Sequence, residues 1–148
     1  MKPDVDQILG LSAGQLLATV APLLPPGYAQ GTTSLIAFML MLSAQEYDRA
    51  AEIRATENAE LRALFAVLAP LVEDAGLRSA LTDAAATKDK SLSISALNES
   101  NQRLRRLLIA LQTEIEERPG PDARQAERRI WEVLRAGAAR RLLRLPGG

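Results

Sequence analysis

The sequence contains no cysteine and no histidine. Without cysteine there is no disulfide, no thiolate nucleophile and no thiolate metal ligand. Without histidine a Ser-His-Asp triad is excluded, as is a ferritin-like di-iron centre, which draws Glu-x-x-His from two helices. Aromatic residues make up only 3% of the chain. A core so poor in rings must be aliphatic and alanine-rich, which favours close-packed helices over a β-sandwich, whose strands draw on aromatic and β-branched side chains. Neither sign of charge is in excess, since 18 basic and 18 acidic residues cancel. The balance gives no reason to expect nucleic acid or an anionic membrane as partner. Long hydrophobic runs are lacking too. Leu35–Leu42 is eight apolar residues long, whereas a membrane span needs about 20. The start, Met1-Lys2-Pro3-Asp4, continues into polar Asp6 and Gln7 and does not read as a secretory signal; a cytoplasmic location is the expectation.

What is present is helical. The 148 residues suit one domain. Val5, Ile8 and Leu9 give a short apolar face that Gly10 should end. Ser12 and Gln15 then form a capping-box pattern for a second start, and Pro22 weakens the helical stripe that begins there. "PPGYAQGTTS" predicts a loop over 25–33, with Thr32, Thr33 or Ser34 capping the next helix. From there helical character continues to Ala69, roughly 35 residues, long for a globular domain. Its first turns, Leu35–Leu42, are apolar all round, and Glu46, Asp48 and Arg49 come directly after. That pattern predicts a helix starting inside a bundle and emerging toward the surface.

"DAGLRSALTDAAAT" predicts a modest helix. Residues 88–94 form an extended connector, too short and solitary to build a sheet. "ALNESNQRLRRLLIALQTEIEE" is the clearest helix of the chain, and "RPGP" breaks it over 118–121. Asp122 and Gln125 pattern a capping box for a last helix to about Leu145, with Trp131 expected beside Ile130 on its inner face.

Three patterns bear on function. The first is a gapless match of "NAELRALFAVLAPLVED", from Asn58, to "NQRLRRLLIALQTEIEE", from Asn101. It pairs Asn58 with Asn101, Leu61 with Leu104, Arg62 with Arg105 and Leu68 with Leu111. Either two helices are duplicated and pack about a pseudo-twofold axis, or two Leu/Arg amphipathic helices coincide. The second is a heptad-like series in the second copy: Leu97, Asn101, Leu104, Leu108, Leu111 and Ile115. Such a series, with one polar member that fixes register, is either a homodimer seam or the core face of a bundle helix. The third is Glu57-Asn58-Ala59-Glu60, which resembles the Glu-x-x-Glu half of the Mg²⁺ site in all-helical nucleotide pyrophosphohydrolases of the MazG type. Their later Glu-x-x-Asp half is missing here, so a solvated helix face is the simpler reading. Glu46, Asp48 and Glu52 add further carboxylates. Charge is also uneven along the chain. Residues 46–87 carry eight acids and four Arg, a net of −4, and residues 121–148 seven Arg and three acids, a net of +4. Packing of the last helix against the acidic middle accounts for this more simply than nucleic acid does.

"PDVDQILGL", "LNESNQRLRRLLIAL" and "IWEVLRAGAARRLL", about a quarter of the chain, resemble stretches of an uncharacterised all-helical bacterial family. The genes of that family often lie near aminoglycoside-phosphotransferase-like and acyl-CoA dehydrogenase genes. The resemblance implies an accessory role near acyl-CoA metabolism and carries over no catalytic residue. The sequence as a whole predicts an all-α protein, an antiparallel bundle of four to five main helices plus a short N-terminal helix. The expected function is a non-catalytic interaction or accessory protein, self-associating as a dimer or binding another protein, with no cofactor. The alternative is a Mg²⁺-dependent or small-ligand-binding bundle built on Glu57 and Glu60.

Overall fold

The computed structural model describes residues 4–143, and every described element is helical. Helix α1 spans Val5–Gln15, α2 Tyr28–Leu68, α3 Ala75–Ala86, α4 Ile94–Glu116 and α5 Pro121–Arg140. In place of the single domain expected over 1–148, two compact units form, one of residues up to Ala50 with Leu143, the other of Ala51–Leu142. Helix α2 gives its first half to the one and its second half to the other.

The N-terminal unit departs from expectation in several places. Gly10 does not end α1, and Ser12 starts no new helix; the helix runs on through Gly14. A π-helical turn, Leu16–Val20, and a 3₁₀ turn, Ala21–Leu23, come next, the latter holding Pro22. The loop is short. Gly27 takes φ +141°, a value open to glycine, and helix resumes at Tyr28. Thr33 and Ser34 do not cap. Their hydroxyls donate to the carbonyls of Ala29 and Gln30, four residues back, which lets them sit inside a helix. Gln30 Nε2 donates to the Ala21 carbonyl and ties the two sides of the turn together. The buried apolar residues of this unit are all alanines: Ala13, Ala21, Ala37 and Ala50.

The C-terminal unit holds the large buried side chains, with Phe65, Leu68, Leu81, Leu97, Leu111 and Ile130 at 2% exposure or less. Its helices alternate in direction. The second half of α2 and α4 run parallel: Arg54 meets Asn98 at one end, and the backbone of Glu73 meets Glu114 at the other. Between them the chain returns through α3, whose Asp74 cap accepts from the Leu77 N–H at 2.6 Å. Gly120, at φ +130°, turns the chain into α5, which opens on Pro121 rather than on a side-chain cap from Asp122. Helix α5 then runs antiparallel to both long helices, until Arg140 and Arg141 reach Glu60 and Glu57. Trp131 is 44% exposed, not an inner anchor; Ile130 alone turns inward. The predicted end near Leu145, and Arg144, lie outside the described residues.

Candidate functional site

The six heptad residues of α4 are core. Leu97, Asn101, Leu104, Leu108, Leu111 and Ile115 are each 7% exposed or less within one chain. A face so covered leaves no surface for a second copy, so it is not an intermolecular seam. Its partner is the second half of α2 together with the turn after it, where Arg54, Asn58, Leu61, Phe65, Leu68 and Val72 stand 43 residues earlier at every step. All but Arg54 of that second series are buried. Two parallel heptad series thus meet at the same level inside one polypeptide, the geometry of a two-stranded coiled coil.

The matched residues of the two copies meet about one axis. Asn101 Nδ2 donates to Asn58 Oδ1 at 3.0 Å. Arg62 donates to Ser100 Oγ at 2.8 Å, and Arg105 lies 3.8 Å from Glu57. Since 57 corresponds to 100 and 62 to 105, those last two contacts are the same contact seen from opposite sides. The two matched segments therefore pack with pseudo-twofold symmetry.

Each side of the pair is closed by ion pairing. On the α3 side Arg62, 8% exposed, donates to Thr87 Oγ1 at 3.0 Å and to Asp89 Oδ1 at 2.7 Å. Asn58 Nδ2 donates to the same Asp89 oxygen at 3.0 Å and to the Leu97 carbonyl at 3.2 Å. Burial pushes the Asp89 carboxyl up, but the hydrogen bonds of Arg62, Ser100 and Asn58 and the Arg62 charge outweigh it and hold Asp89 below the usual aspartate range. On the α5 side Arg141 grips both oxygens of Glu57, and Arg140 both oxygens of Glu60. Burial pushes Glu57 up; Arg141, then the charges of Arg105 and Arg54, pull it below the usual glutamate range.

Glu57 and Glu60 share a helix face, and each faces guanidinium groups, whose positive charge repels a divalent cation. Among the described residues no group of three acids lies together. The positive last helix does meet the acidic middle of its own chain, through Arg140 and Arg141. Asp89 has no signal in the sequence beyond lying in a polar connector.

The N-terminal unit presents the opposite chemistry. Leu35 is 60% exposed, Ile36 50% and Met39 56%. The run Leu35–Leu42 thus does not lie inside a bundle; three of its seven large side chains are exposed and the other four are half-buried. Leu35, Met39, Ser43 and Tyr47 succeed one another every four residues and form one outward stripe. Val5, Ile8, Leu11, Leu17 and Leu23 add exposed apolar surface from the preceding turns. From Gln7 to Gln45 there is no Asp, Glu, Lys or Arg at all. Scattered exposed leucines are ordinary; here the exposed apolar side chains fall in a stretch that carries no charge.

No protein-family model matches the chain, and neither a curated protein nor a solved structure matches it.

Proposed function

We propose that the protein is a non-catalytic helical interaction protein that acts through its N-terminal unit. The observation that carries this reading is the uncharged apolar surface of residues 7–45, centred on Leu35 and Met39. Fixed clefts with reactive groups are what enzymes need, and the most strongly perturbed acids, Glu57 and Asp89, are already committed to Arg141 and Arg62. The C-terminal unit, closed by two heptad series and ion pairs, supplies stability. The N-terminal unit supplies surface. An accessory role, of the kind the family resemblance implies near acyl-CoA metabolism, belongs to the same class of contact-based function.

A photoreactive phenylalanine analogue in place of Met39, activated in the producing cell, tests the reading. Discrete covalent adducts at this position and none from Ile109, exposed on α4, are the expected result. An absence of adducts at Met39, Leu35 and Tyr47 alike would remove the N-terminal unit as a contact surface.

A further inference from the structure

We infer that the occupant of the N-terminal apolar surface is a second copy of the same surface, so that two N-terminal units assemble face to face into one helical bundle about a twofold axis. The inference rests on the interaction reading above and names the partner. Three observations carry it.

The first is charge. A stretch of 39 residues without one Asp, Glu, Lys or Arg is matched best by a partner equally free of charge, since covering a partner's lysine or glutamate would strand it without a counterion. The sequence holds one such surface, and two copies of it meet without repulsion. A lipid surface fits less well. Interfacial helices hold to membranes with Lys and Arg on their polar face, and residues 7–45 have none. No helix among the described residues is long and apolar enough to cross a membrane.

The second is area. Val5, Ile8, Leu11, Leu23, Leu35 and Met39 are between 42% and 81% exposed. Spread over α1, the turns and α2, these side chains are large apolar groups left uncovered within one chain, and a stable dimer covers roughly 800 Å² per partner.

The third is the thinness of the core beneath. Among the described residues of this unit only Ala13, Ala21, Ala37 and Ala50 are buried apolar residues, too little for about 50 residues of helix, and association is a usual remedy at that size. In the isologous arrangement the stripe Leu35–Met39–Tyr47 of one copy packs on that of the other, and Ser43 within it lets the helices approach.

Sedimentation velocity on the full chain, from nanomolar to hundred-micromolar concentration, should show an assembly of twice the 16.0 kDa chain mass. Leu35→Glu with Met39→Glu should weaken the dimer by roughly 30-fold or more, as loss of central contacts does. Far-UV circular dichroism would confirm that the variant keeps its helices, and Ile109→Glu on α4 should leave the dimer intact. A wild-type chain that stays monomeric throughout overturns the proposal, as does a dimer indifferent to the Leu35 and Met39 charges. Monomers that bind phosphatidylcholine vesicles, or whose Met39 adducts contain a different protein, would refute the second copy while keeping the interaction reading. Monomers with no adducts at all would refute both.

Discussion

Asn58 and Asn101 stand 43 residues apart in the chain and hydrogen-bond across the centre of the α2–α4 pair, Nδ2 to Oδ1 at 3.0 Å. Each is 7% exposed or less. Shifting one helix against the other by a single turn would bury both amides against leucine, so the pair fixes register, a role attested for asparagine in coiled-coil seams. Asn101→Leu should cost about 1–3 kcal/mol by leaving the Asn58 carbonyl unsatisfied. Asn58→Leu should cost more, since Asn58 has two further partners, Asp89 and the Leu97 carbonyl, against one, Glu57, for Asn101. A double-mutant cycle by urea denaturation should return a coupling of about 0.5–3 kcal/mol. Strict additivity would show that the two amides do not act as a pair.

Leu108 tests whether the α4 heptad is core. It is 5% exposed and packs in the cluster with Leu61, Leu104 and Leu111. Leu108→Ala should lose about 2–5 kcal/mol, the range for buried leucine truncations, without altering the mass of the assembly in sedimentation. A variant of unchanged stability but halved mass would put Leu108 between chains instead.

The legible part of this structure is what period and punctuation encode. The α4 stripe, the Gly120-Pro121 break and the connector before Ser93 stem from spacing and turn chemistry. The α4 stripe alone, however, does not say whether its partner lies in the same chain or in another. Heptad packing is identical in the two cases, and only the companion series from Arg54 to Val72, which Pro70 breaks before its last member, decides between them. Tyr28–Ser34 is illegible for a different reason. Threonine and serine favour caps by propensity, yet bonding to carbonyls four residues back holds them in the helix. Leu35–Leu42 misleads because an apolar run records a need for cover and not where the cover comes from. Asp89 gains its meaning only from a buried Arg62, and no spacing in the sequence ties the two together.

Arg62 and Asp89 form an enclosed ion pair in the C-terminal unit, with side chains 10% and 15% exposed. Removing one partner of such a pair strands the other's charge. Arg62→Met should cost about 3–5 kcal/mol, and part of that loss should be recovered in Arg62→Met with Asp89→Asn, where no charge remains to strand. Guanidinium denaturation of the four species measures this. A double variant less stable than the sum of the singles would contradict the stranded-charge account.

Acid stability depends on the same carboxylates. Glu57 and Asp89 are both held below their ordinary ranges in the folded chain. A depressed folded value contributes stability that is fully present above the unfolded value, near 4.3 for Glu and 3.9 for Asp, and that is lost as pH falls through the folded value. With no histidine to titrate near neutrality, the denaturation midpoint should stay level from about pH 7 to pH 5 and fall below about pH 4.5. Arg141→Gln removes the bidentate grip and leaves Glu57 facing burial with Arg105, Arg54 and the Asn101 amide, so its carboxyl rises toward the unfolded value; the variant is less stable at neutral pH and its acid decline is shallower, because Glu57 contributes less of it. Glu57→Gln should flatten the decline relative to wild type, because one of the two groups responsible no longer titrates. A Glu57→Gln profile identical in shape to the wild type would place the acid sensitivity elsewhere, leaving Asp89 as the group to change next.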